Sequence, residues 1–121
     1  MRKFDFNTIL LEMSTKRQSA WFDIKSVMTP LIGHLLMIDT LGEDDINYNK
    51  HMKEIEDFKE DIIEANMKTK KKVWFSISTI NEISTEHIKR GIKFFLKKYP
   101  NAEIRKDYKS LADFEWFTIY N

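Results

Sequence analysis

The hydrophobic period of this chain changes near its middle, and that change restricts the available folds more than any other feature. Up to Lys70 the apolar residues recur every three or four positions, as on helices. Val73–Ile80 and Phe114–Tyr120 instead alternate or run continuously, as in strands. The pattern predicts an α+β fold in one domain, residues 1–121, with a helical half, 1–69, and a β-α-β-β half, 70–121. A chain of 121 residues, 42% of them hydrophobic, suits a single core that buries roughly two-thirds of the unfolded surface.

In the helical half, Asn7 or Asp5 can cap a short helix carrying Ile9, Leu10 and Met13 and ending near Thr15, because their side-chain oxygens accept from the unpaired N–H groups of a first turn. Trp21, Ile24, Met28, Leu31, Leu35 and Ile38 then follow the 3-4-3-4-3 spacing of a helix seam. Pro30 interrupts it: the ring has no N–H and collides with the carbonyl of Ser26, so the expectation is a break, with Thr29 capping a new helix. Gly42 should terminate that segment, since glycine accepts the left-handed conformation found just past helix ends. Asp44 or Asp45 would cap the next helix, which reaches about Met67 and buries Tyr48, Met52, Ile55, Phe58 and Ile62.

The second half reads strand, helix, strand, strand. Val73–Ser78 is rich in aromatic and β-branched residues, and Ser84 or Thr85 can cap a helix with Ile88, Ile92, Phe95, Leu96 and Tyr99 on one side, stopped by Pro100-Asn101. Ala102–Asp107 is a short charged strand candidate, whereas Phe114–Tyr120 is apolar on nearly both faces and so belongs in the middle of a sheet. The implied three-stranded order is 73–79, 114–120, 102–107, a split β-α-β with the last strand antiparallel between parallel neighbours. Folds of this kind host enzymes and binding proteins alike, so function has to be read from sites.

Most chemistry is excluded by residue type. There is no cysteine, hence no disulfide, thiolate metal site or cysteine nucleophile, and a reducing cytoplasm is the expected location. A secretion signal is not expected, because Asp5 and Glu12 interrupt the first apolar stretch. Nor is a membrane span, because Val27–Ile38 falls short of the ~20 residues that cross a bilayer. Only Gly33, Gly42 and Gly91 are glycines, too few and too scattered for a P-loop or a dinucleotide fingerprint. The acidic run from Asp39 to Asp45 matches a calcium loop in composition alone, with Leu41 and Lys50 where ligands are needed. No serine lies in a Gly-x-Ser-x-Gly turn. The histidines form no His-x-x-x-His or Glu-x-x-His pair: His34 reads as a hydrogen-bonded core residue, and His51 and His87 as surface residues near helix starts. Neither enzymatic activity nor a metal or other cofactor is expected.

Charge placement carries the functional expectation. Glu54, Asp57, Asp61 and Glu64 recur at intervals of three, four and three, forming one acidic stripe nearly opposite the apolar face. Like charges so spaced each cost a few tenths of a kcal/mol, so fold stability alone does not favour the stripe. Lys89, Arg90, Lys93 and Lys97 form a basic counterpart on the later helix, with Phe94 beside it, pointing away from the core. The stripes could be ordinary solvated faces, could pair within the monomer, or could join two protomers of a homodimer. The favoured expectation is a non-enzymatic inhibitor of the immunity-protein, antitoxin or phage-inhibitor kind. Its acidic helix would mask a basic protein partner such as a toxin or nuclease. The alternative is a nucleic-acid-binding accessory protein that grips phosphates with Lys70–Lys72, Arg105, Lys106, Lys109 and the basic helix 85–99, while Trp74, Trp116 or Phe94 stacks on bases. A net charge of +1 favours the protein partner, because nucleic-acid binders are typically far more basic.

Overall fold

A computed structural model describes residues 6–120, with side chains described from Thr15 onward. Helix α1 runs unbroken over Phe6–Leu41, α2 covers Tyr48–Ala65, a short antiparallel hairpin pairs β1 (Met67–Thr69) with β2 (Lys72–Val73), and α3 (Ile77–Thr85) and α4 (Ile88–Lys98) follow. The remainder is irregular apart from one 3-10 turn, Leu111–Asp113.

Pro30 lies inside α1, which corrects the expected break and the expected short first helix. Asn7 is the second described residue of this helix, while Asp5 lies outside the described residues. Proline in a helix interior costs about 3 kcal/mol or more. Met28, Leu31, Ile32, Leu35, Leu36 and Met37 are all fully buried around it. Each contributes roughly 1.5–3 kcal/mol, so a continuous buried stripe outweighs the local defect. The unbroken helix also means that Thr15–Leu41 is long and apolar enough, by length and composition, to cross a membrane, although half of its most apolar window is buried within the protein.

At the end of α1, Gly42 adopts a positive φ of 74° and its N–H returns to the carbonyl of Ile38 at 3.0 Å, as its position predicts. The following cap differs from expectation. Asn47 occupies the N-cap of α2 without a side-chain bond, and Asp45 instead turns its carboxylate toward His51. The short connection lays α2 along α1, with Ile55 and Ile62 buried between them. Helix α4 also packs on α1, through two glycine contacts. A Cβ on Gly91 would fall 2.4 Å from Ile32 Cγ2, and one on Gly33 would fall 2.3 Å from Phe94 Cδ1.

The expected three-stranded sheet is absent: among the described residues the only sheet is the hairpin. Residues 73–79 leave the strand conformation after Val73, because the Ser76 hydroxyl accepts from the Thr79 N–H and starts α3. Ser84 therefore lies inside a helix instead of capping one. Its buried hydroxyl donates to the Asn81 carbonyl at 2.5 Å and accepts from the Leu111 N–H at 2.9 Å. Residues 102–107 have no partner strand among the described residues. From Leu111 to Phe117 the buried side chains follow a three-residue step, with Phe114 N–H bonding to Leu111 O at 3.1 Å and Phe117 N–H to Phe114 O at 3.0 Å, and Ile119 is buried two residues further on. Consecutive tight turns thus put Leu111, Phe114 and Phe117 on one side, where an extended chain would alternate them. This tail covers the end of α1, with Tyr108 stacked on Phe114 at 4.5 Å and both Tyr108 and Trp116 donating to the Asp39 carboxylate.

Candidate functional site

The acidic stripe on α2 is divided by its own geometry. Asp57, Asp61 and Glu64 are exposed, whereas Glu54 is turned inward and its carboxylate contacts Nε2 of His34 on α1. Asp61 and Glu64 join Asp23 of α1 around a shallow depression between the two helices, floored by Val27 and Ala65. Among the described residues no Lys or Arg forms an ion pair with Asp23, Asp57, Asp61 or Glu64. The basic stripe is equally unpaired: Lys89, Arg90, Lys93 and Lys97 are all exposed on α4. The two stripes therefore do not neutralise each other inside the monomer.

Phe94 corrects the expectation that it points away from the core. Its ring sits over Gly33, with the His34 ring 5.8 Å away and the Lys98 ammonium 5.2 Å from its centroid. The other aromatics considered for base stacking are also engaged. Lys68 lies 5.1 Å over the Trp74 ring, and the Trp116 indole N–H is bound by Asp39 at 2.5 Å.

The histidines are placed differently from the sequence reading. His51 and His87, expected at the surface, are 6% and 5% exposed, and His34 is 4% exposed as expected. Their burial follows from packing between helices: His34 lies between α2 and α4, close to Phe58, Phe94 and His51, and His51 reaches Tyr99 at the end of α4. One nitrogen from each of His34 and His51 and one carboxylate oxygen of Glu54 lie within 4.8 Å of one another. Each imidazole is oriented by its other nitrogen. His34 Nδ1 donates to the Pro30 carbonyl at 2.7 Å, and His51 Nε2 lies 3.3 Å from both the Asp45 carboxylate and the Tyr99 hydroxyl. That leaves His51 Nδ1 buried with no partner. Burial, and then the nearby His34, push the His51 pKa below its ordinary value, against the opposing pull of Asp45 and Glu54.

Sequence reasoning missed this convergence. Its local trace is His51-x-x-Glu54, which puts an imidazole and a carboxylate on adjacent turns of one helix face. The third member is 17 residues earlier and arrives only through the α1–α2 crossing.

No family profile matches the chain, and neither a curated protein nor a solved structure shows significant similarity to it. The site alone informs function.

Proposed function

We propose that this chain is a non-enzymatic binding protein whose acidic α2 face masks a basic surface on a protein partner. An immunity protein, an antitoxin or a phage-encoded inhibitor works in this manner, and a chain without cysteine suits the cytoplasm in which such a partner would act. The observation that carries this reading is the unpaired state of Asp57, Asp61 and Glu64, reinforced by Asp23 across the groove. Three carboxylates on one helix face repel one another at a cost of a few tenths of a kcal/mol per pair, and no Lys or Arg among the described residues forms an ion pair with them. A cationic partner would offset it and be steered to the face from a distance.

Nucleic-acid binding through Lys89, Arg90, Lys93, Lys97 and the Lys70–Lys72 hairpin tip is the competing reading, and the seating of Phe94 on Gly33 weighs against it. The two separate by fluorescence anisotropy with labelled single-stranded and duplex oligonucleotides at ~0.15 M salt, where exposed charges are screened beyond about 8 Å. The proposal expects no oligonucleotide binding that depends on the α4 lysines. Binding that Lys93→Gln/Lys97→Gln weakens, with a reduced salt slope, would replace the proposal with the nucleic-acid reading.

A further inference from the structure

We infer that His34, His51 and Glu54 form a binding site for a divalent metal ion of the zinc class, joining α1 to α2. The donor set is two imidazoles and one carboxylate, a combination that zinc and its transition-metal neighbours accept and that magnesium and calcium, which take oxygen ligands, do not.

The surroundings are those of a prepared site. A metal-bound imidazole needs one nitrogen free for the ion and the other held by a carbonyl or carboxylate, which fixes the ring and its tautomer. Both rings meet that condition. His34 donates from Nδ1 to the Pro30 carbonyl, leaving Nε2 facing Glu54. His51 directs Nε2 toward Asp45 and Tyr99, leaving the unpartnered Nδ1 as its ligand atom.

Distances are compatible with this use. Bonds of about 2.0–2.1 Å in a tetrahedron place ligand atoms roughly 3.3 Å apart. The three ligand atoms already lie within 4.8 Å of one another, so small side-chain rotations bring them to that spacing, and Glu54, 34% exposed, lies on the solvent side of the two buried rings. Three protein ligands leave a further position for water. Asp45 becomes the outer carboxylate of a carboxylate–histidine–metal chain, which explains why it faces His51 instead of capping α2.

The test uses the full chain without a polyhistidine tag, stripped with a chelator and titrated with zinc chloride, with magnesium chloride as control. One equivalent of zinc should bind. At a hundredfold excess over the dissociation constant, zinc should raise the melting temperature by about 5–10 °C, and magnesium should not. Cobalt should give the visible absorption of a four- or five-coordinate ion with nitrogen and oxygen ligands. Glu54→Gln keeps a polar group against His34 but loses the anionic ligand, and should weaken zinc binding at least tenfold. His51→Gln should do the same. If His51→Gln fails to fold, Glu54→Gln and the cobalt spectrum decide the matter. Absence of a zinc-specific shift, or an equal shift in wild type and Glu54→Gln, would overturn the assignment.

Discussion

The side chain of Asn66 pairs with the backbone of Phe75 as a neighbouring strand would: Asn66 Nδ2 donates to the Phe75 carbonyl at 2.9 Å, and the Phe75 N–H donates to Asn66 Oδ1 at 2.8 Å. Trp74 N–H adds a bond to the Asn66 carbonyl at 2.9 Å, and the Tyr120 hydroxyl accepts from the same amide at 3.1 Å. One fully buried residue thus fastens the end of α2, the exit of the hairpin and the C-terminal tail.

Asn66→Ala should therefore be among the most damaging substitutions outside the apolar core. It leaves a buried N–H and a buried carbonyl without partners, at a cost of about 1–3 kcal/mol per group. Urea denaturation should show a loss of about 2–4 kcal/mol. A loss below about 0.5 kcal/mol would mean that water or a rearranged hairpin satisfies Phe75.

Gly91→Ala should destabilise even though alanine is the better helix former. The propensity gain is about 1 kcal/mol, whereas the new methyl meets Cβ and Cγ2 of Ile32 at 2.7 and 2.4 Å. Ile32 is fully buried and β-branched, so it cannot turn away, and overpacking typically costs about 1–3 kcal/mol. Gly33→Ala should be milder, because its neighbour is the half-buried Phe94 ring, which can swing outward. Thermal denaturation of both variants checks the order, and Gly33→Ala proving the worse would contradict it.

Acid should weaken the fold partly through His87. Burial, then Arg90 and Lys25, lower its pKa below 6.5, with Glu86 opposing. Its Nδ1 lies 3.1 Å from the Thr29 hydroxyl, and its Nε2 is buried without a partner. Below about pH 6.5 the unfolded chain takes up this proton and the folded chain resists it. Stability is thus complete above that value and declines toward the folded pKa. His87→Asn should flatten the stability profile between about pH 7 and 5 in urea titrations. An unchanged slope would assign the acid sensitivity elsewhere.

The faces of the helices were largely legible, because burial imposes a period that sequence displays directly. Ile55 and Ile62 on α2, Phe95 on α4 and the stop at Gly42 lie where the spacing puts them. The sheet was not, for a reason visible at Asn66. Strand-like composition in Val73–Phe75 reports burial and stiffness, whereas a strand also needs a partner for its hydrogen bonds, and here a side chain takes that place. The same limit applies to Phe114–Tyr120, whose apolar content on nearly both faces was read as a central strand, whereas tight turns bury Phe114, Phe117 and Ile119 without any partner strand among the described residues. Exposure of Asp57, Asp61 and Glu64 followed from the helical period, but the inward turn of Glu54 did not, since it depends on where α1 delivers His34.

Neutralising the acidic face should leave folding intact. Asp57→Asn/Asp61→Asn relieves repulsion among exposed groups, so stability in urea should stay equal or rise by a few tenths of a kcal/mol. A loss above about 1 kcal/mol would show that these carboxylates serve the fold.

The most direct test of the binding proposal is quantitative mass spectrometry of proteins captured from nuclease-treated native lysate by three baits: wild type, Asp57→Asn/Asp61→Asn and Lys93→Gln/Lys97→Gln. The account predicts a basic protein held by wild type and by the lysine variant, released by raised salt, and lost from the aspartate variant. Identical retention by all three baits, or capture that is lost from the lysine variant and kept by the aspartate variant, would contradict it.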